Sequence, residues 1–366
     1  MSNSRWIGAA VGLALCSTAL ASCSQGGKSS GQGQSQQAAA GQLAWTKKTE
    51  NQLVDAIAGA PANGLKPDLF IKGDLPKDDA ERGRVLTDAA LRYAEALAQG
   101  YADPKKILPI YTVPRPPADL RQGLAQSIES GTVDQWLASL PPQTDEYRAL
   151  SRTHLAYLRM AAQANFQPIP AGKPLKPGRR DPRVPTIAAA LRSVGYLPPV
   201  APSSRAPFRY TGALVASVKQ LQTDFGIKAD GIIGDTTLDA LNLGPGGRAR
   251  QLAIAMERLR WLTRNPPATR IDVNTAAAFL DYWRDGNHVD HRPVVPGEPD
   301  KPTPEIQASF KRLVANPYWR IPDSIYKEEL ADKGAAYFAA NQMVFKDGKL
   351  VQLPGPKNSL GLVKFD

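Results

Sequence analysis

Across Pro266-Pro267 the apolar period of this 366-residue chain changes from helical to alternating. Upstream, apolar side chains recur at i, i+3, i+4 and i+7 over long stretches. Downstream, Ile271 and Val273 alternate with polar residues and Phe279-Leu-Asp-Tyr-Trp283 follows. Asp285-Gly286 then stands before His288 to Val295, which is a hairpin signal. Two periods held in separate blocks predict a multidomain α+β chain, helical first and β-rich last.

The helical part opens with residues 44–166. Asp78 to Gln99 places Val85, Ala89, Tyr93 and Leu97 on one face and ends at Gly100, a candidate C-cap. Asp119 to Gly131 repeats the scheme with Leu120, Leu124 and Ile128. Thr132 to Leu140 is closed by Pro141-Pro142, and Asp145 to Ala164 carries Tyr147, Leu150, Leu155 and Leu158. Ile107 to Pro117 cannot be helix, because its prolines remove donors and fix φ. His154 stands alone, as a surface or packing residue. With no catalytic constellation, the block is read as a scaffold.

Residues 167–180 are rich in proline and basic side chains and read as a linker. Residues 181–247 then form a small helical domain. Val184, Ile187, Leu191 and Val194 make one face, and Leu214, Val218, Leu221 and Phe225 another. Asp230-Gly231 predicts a tight turn, and Gly234 a positive φ or a close packing contact. Asp235 or Thr236 is expected to cap a third helix that buries Leu238 and Leu241. Arg250 to Arg264 reads as a connecting helix. Beyond it, a strand is expected at Phe310 to Ala315, helix from Pro322 to Ala340, and two short strands around Asp347-Gly348.

The first residues address the chain. Arg5 precedes an apolar run from Trp6 to Leu20 that is short for a membrane span, so residues 1–22 are read as an export signal. The run ends in Leu20-Ala21-Ser22-Cys23, which resembles a lipoprotein cleavage box and predicts lipidation at Cys23. By the same resemblance, Ser24 favours the outer membrane of a Gram-negative envelope over inner-membrane retention. Residues 23–43 are read as a tether, in which Ser24 to Gly41 is Ser, Gly, Gln, Ala and one Lys, about 18 flexible residues spanning on the order of 20–25 Å. Only Cys16 and Cys23 exist, so a disulfide or cysteine metal site is not expected after cleavage. The net charge of +11 suits anionic wall polymers. Its basic residues are interspersed with acids, which argues against nucleic acid as a partner.

The phrase from Val218 to Asn242, V-K-x-L-Q-x-x-F-G-I-x-x-D-G-x-x-G-x-x-T-x-x-A-L-N, resembles a three-helix peptidoglycan-binding domain. Leu221, Gln222, Phe225, Asp230, Gly231, Gly234 and Thr237 carry the resemblance, and all are read as builders of the fold. From Leu252 onward the chain is similar to the peptidoglycan L,D-transpeptidase family, in its large multidomain branch. The matching phrases are Met256 to Leu262, Ile271 to Asn274, Pro296-Gly297 with Thr303-Pro304, Asn316-Pro-Tyr-Trp-Arg-Ile-Pro322, and Gln352 to Gly361. Asn316, Tyr318 and Trp319 are candidates for a substrate cleft, with hydrophobic core the competing role for the two aromatics.

The resemblance implies a cysteine acyl-enzyme that takes a tetrapeptide stem, releases D-Ala and forms 3–3 cross-links, without a cofactor or metal. The family's motif, a histidine followed by Ser-His-Gly-Cys-x-Arg, does not occur in these residues. His288 and His291 flank a hairpin turn and match no catalytic position, so no catalytic residue is assigned. Residues 248–366 are therefore expected to be the first, incomplete part of the catalytic domain, inactive alone, with Val363 to Asp366 an unpartnered strand. Ser324-Ile-Tyr-Lys327 matches an S-x-x-K tetrad but lacks the accompanying boxes. The competing reading is a non-catalytic peptidoglycan-binding envelope lipoprotein. Peptidoglycan and, through the lipid, a membrane are the expected partners.

Overall fold

A computed structural model describes residues 43–163, 166–198, 207–298 and 300–366. The export segment, Cys23 and nearly all of the tether lie outside the described residues. Among the described residues, no helix is long and apolar enough to cross a membrane.

The scaffold core is built by helices whose ends are chemically specified. α1 (Lys47–Ala58) begins in a capping box, with Thr46 and Thr49 each accepting from the other's backbone N–H. α2 (Asp79–Gln99) is capped by Asp78, whose carboxylate accepts from the Glu81 N–H at 2.8 Å. It stops at Gly100, where φ is +90° and an added Cβ would lie 2.5 Å from Trp261 Nε1. A one-turn helix α3 (Pro104–Ile107) leads into the proline-rich segment, and α4 (Leu120–Ser130), α5 (Val133–Ser139) and α6 (Asp145–Gln163) complete the block. Leu53, Ile57, Leu86, Leu97, Leu124 and Leu137 meet in its core. Each such side chain contributes roughly 1.5–3 kcal/mol by leaving water.

A second core joins α7 (Val184–Ser193), α8 (Ala213–Asp224) and α9 (Asp235–Asn242). The expected linker 167–180 is not one throughout. Ile169 and Leu175 are buried in this core, and Leu175 exchanges two 3.0 Å backbone hydrogen bonds with Ile233. The prolines keep the segment extended, which lets it pair as a short bridge while its two apolar residues point inward. The expected cap at Asp235 or Thr236 is also corrected. Gly234 is the N-cap, without a side-chain hydrogen bond, and its φ of −95° is an ordinary extended value. Nothing lies within 4 Å of where its Cβ would be, so Gly234 serves neither a positive φ nor a close contact.

α10 (Gly244–Trp261) follows α9 almost without a break, starting earlier than expected because Pro245 is tolerated in a helix's first turn. It lies along α6. His154 is buried rather than on the surface, with Nδ1 2.8 Å from Ala249 O. Met256 and Arg260 are fully buried, and Trp261 nearly so. Arg260 donates to Asn63 O at 2.8 Å, to the Tyr147 hydroxyl at 2.6 Å and to Glu257 at 2.5 Å. The conspicuous Met256–Leu262 phrase is therefore mainly a scaffold contact.

Among the described residues, the β-rich part holds three small antiparallel sheets. β1 (Arg270–Asn274), β2 (Phe279–Arg284) and β3 (Asn287–Pro293) form a meander. β4 (Leu313–Ala315) pairs with β8 (Val363–Phe365), and β5 (Trp319–Arg320), β7 (Lys349–Gln352) and β6 (Met343–Lys346) form the third sheet in that order. Val363 to Phe365 is thus not unpartnered: Val314 faces Lys364, and Phe310 stacks 5.1 Å from Phe365. Leu313, Val363 and Phe365 nevertheless stay exposed. The helix expected over Pro322 to Ala340 is broken into α11 (Asp323–Ile325), a π-helical turn at Tyr326–Leu330 and α12 (Ala335–Ala340), with Gly334 as the extended cap. The scaffold's proline-rich segment reaches this part directly, since the Thr112 N–H donates to Glu305 O at 2.9 Å.

Removing one partner from a buried ion pair strands the other. Arg260→Ala should therefore lower the unfolding free energy by about 3–5 kcal/mol, read from urea denaturation followed by circular dichroism. A loss below about 1 kcal/mol would mean that the junction does not depend on it.

Candidate functional site

The small helical domain is organised around one buried amide. Gln222 is 1% exposed, on α8 between the core residues Leu221 and Phe225. Its Nε2 donates to Ile232 O at 2.9 Å and Thr237 Oγ1 at 3.1 Å, with a longer contact to Asp230 at 3.3 Å. Its Oε1 accepts from the Gly231 N–H at 2.8 Å. Asp230 Oδ1 accepts from the Ile232 N–H at 2.8 Å, closing the turn. Gly231 needs its freedom, because φ is +77° and a Cβ would press on Val215 at 3.0 Å. The buried Tyr210 hydroxyl donates to Gly231 O at 2.7 Å, and burial pushes its pKa up.

Gln222, Asp230, Gly231 and Thr237 are thus brought together in one hydrogen-bonded corner, whereas Leu221 lies in the apolar core. Phe225 faces elsewhere, with the Arg248 guanidinium 4.9 Å from its ring centroid. Arg248 also sits 5.2 Å from Tyr196 and 5.9 Å from Tyr157 of α6. One cation therefore joins the small domain to the scaffold. Gly234 contributes extended backbone alone.

The second group lies far along the chain. Asn316 adopts φ +48°, a left-handed value asparagine tolerates better than most residues. Its N–H donates to Leu362 O at 2.8 Å. Trp319 packs on the core of Ile321, Leu330, Met343 and Leu350, whereas Tyr318 is 62% exposed and is not core. Two buried amides fasten the facing loop, and sequence reading missed both. Asn358 Nδ2 donates to Pro317 O and Leu353 O, each at 3.0 Å. Gln352 Nε2 donates to Lys357 O at 2.8 Å and Asn341 O at 3.0 Å, while its Oε1 accepts from Ser359 N–H. The only sequence trace was a pair of amides within a Pro/Gly phrase. These bonds tie the Asn316–Pro322 and Gln352–Gly361 phrases into one surface, with Tyr318 projecting from it.

His288 and His291 are exposed, as expected, and both contact Asp281. No nucleophilic thiol occurs among the described residues.

The chain matches family models in three successive blocks. They are a Scaffold domain over residues 36–153, a peptidoglycan binding domain over 180–241, and an L,D-transpeptidase catalytic domain over 268–366. Comparison with curated proteins finds no match. Together with the three cores, the blocks define a multidomain α+β protein of the cell wall that has peptidoglycan as a partner. Within that class, residues 268–366 match the L,D-transpeptidase catalytic domain, and the three blocks together support an L,D-transpeptidase-family protein.

Two outcomes test the Gln222 corner. Gln222→Ala leaves the Gly231 N–H and Thr237 without their partner, and should cost about 1–3 kcal/mol in thermal or urea unfolding. The N–H of Ile232 holds the Asp230 carboxyl below its ordinary value of 3.8. A carboxyl depressed in the folded state contributes stability above its unfolded pKa and loses it as pH falls through the lower folded value. Acid unfolding of Asp230→Ala should accordingly be less steep below about pH 3.8 than that of the parent. Equal steepness would remove Asp230 from the account.

Proposed function

We propose that the exported chain is a lipid-anchored wall protein, periplasmic and held by Cys23 at the outer membrane, whose small domain grips peptidoglycan and whose β-rich part faces stem peptides. The observation that carries this reading is the continuity of α9 into α10. The helix that leaves the peptidoglycan-binding domain is the one clamped to the scaffold, and it runs directly into the β-rich part. Wall binding at one end therefore fixes where the other end works. The surface joining Asn316, Tyr318 and the Gln352–Gly361 loop is the part best placed for a stem peptide, because Tyr318 offers an exposed aromatic beside fixed backbone.

The family reaction needs a thiolate that attacks the stem carbonyl and a base that manages its proton. The cysteines of these 366 residues are Cys16, inside the apolar export run, and Cys23, the acceptor for lipid. These residues thus supply binding and presentation, and no 3–3 cross-linking by themselves.

Purified protein should co-sediment with isolated sacculi and generate no 3–3 cross-linked muropeptides on incubation. Protein that stays in the supernatant would refute the binding assignment, and new 3–3 dimers would refute the inactivity. In cells fed labelled palmitate, the parent chain should take up label and Cys23→Ser should not. Equal labelling would remove Cys23 as the anchor.

A further inference from the structure

The β2–β3 hairpin carries a group of side chains that the wall-binding reading does not use. In the β2–β3 register Asp281 faces His291 and Trp283 faces His288. Two residues three apart on a regular strand point to opposite faces. Here the register slips between Tyr282 and Trp283: Tyr282 pairs with Asp290, Trp283 with His288, and Val289 is left as the extra residue of a bulge. That insertion changes the parity of β3 and turns His288 onto the same face as His291 and Asp281. Bulges commonly re-aim a side chain in this way.

The three side chains converge. His288 Nε2 lies 2.7 Å and His291 Nδ1 2.8 Å from the same oxygen, Asp281 Oδ1. One ligand atom from each residue falls within 4.8 Å of the others. Both imidazoles are braced by rings, His291 4.7 Å from Phe279 and His288 5.1 Å from Trp283. Asp272 stands directly opposite Asp281 on β1, where it is held by Arg270 at 2.8 Å. The two nearby arginines are otherwise engaged, Arg292 with Asp290 and Arg270 with Asp272 and the Trp283 ring.

We propose that Asp281, His288 and His291 form a surface site for one divalent transition-metal ion of the zinc class. Two imidazoles and one carboxylate are a borderline-soft donor set, which suits zinc or its late first-row neighbours and not magnesium or calcium. Zinc bonds of about 2.0–2.2 Å place tetrahedral ligands about 3.3 Å apart. Each imidazole therefore retreats from Asp281 by about half an ångström, and the ring proton now aimed at Oδ1 moves to the other ring nitrogen. Water completes the coordination. All three ligands sit on one bulged hairpin, so the ion staples β2 to β3 and stiffens the meander that begins the β-rich part.

Titration of the purified full chain, free of any polyhistidine tag, with zinc chloride in a calorimeter tests this. The expected result is saturable binding of one equivalent, with no heat from magnesium chloride. His288→Ala, His291→Ala and Asp281→Asn should each weaken binding by about tenfold or more. Asp290→Asn, on the other face of the same strand, should bind as the parent does. Circular dichroism identifies any variant that has lost its fold, and Asp281→Asn, nearly identical in shape, stands in for such a variant. No saturable binding by the parent, or parent-like affinity in all three variants, overturns the site.

Discussion

Arg260 is a guanidinium fully enclosed by protein, and the arrangement of the molecule depends on how that charge is met. Its partners come from three places: Asn63 in the turn after α1, Tyr147 at the start of α6, and Glu257 one turn back on α10. Glu257 in turn accepts from the Ala102 N–H at 2.9 Å and from Trp261 Nε1 at 3.0 Å. Burial pushes the Glu257 carboxyl up, but Arg260 and the Ala102 N–H together hold it below its ordinary value. The result is a charged knot that can form only when α10 lies in one place on the scaffold. A buried pair of this kind is weak evidence for net stability and better evidence for a specified geometry.

The geometry passes in both directions along α10. At its N-terminal end Arg248 lies among Phe225 and Tyr196 of the small domain and Tyr157 of the scaffold. At its C-terminal end Arg264 donates to Ala98 O at 2.6 Å just before the first strand. The peptidoglycan-binding domain and the L,D-transpeptidase region are therefore set by one helix.

Much of this was legible in the chain. The helix faces of the scaffold and small domain followed from apolar spacing, and Asp78, Asp119 and Gly100 marked their ends as read. The Asp285-Gly286 and Asp347-Gly348 turns stand where the hairpin pattern put them. What escaped was long-range. Ile169 and Leu175 sat in a proline-rich, basic stretch with no period, and only the partner Ile233 reveals them as core. Gly234 looked like a conformational requirement and is open extended backbone, because a glycine's purpose depends on neighbours that local sequence does not name. His288 and His291 read as exposed residues that match no catalytic position, and on a regular strand their spacing would place them on opposite faces. The bulge that unites them is a property of the paired sheet. Asn358 and Gln352 likewise reveal their role only when the loop is closed.

The central claim is that wall polymer is gripped by the small domain and that this grip is delivered to the β-rich part through α10. Hydrogen exchange of the chain with and without soluble muropeptides reads it directly. The account predicts slowed exchange in residues 166–241, accompanied by the α10 amides that follow them. Unchanged exchange there, with protection confined to the scaffold or to no segment at all, would contradict it.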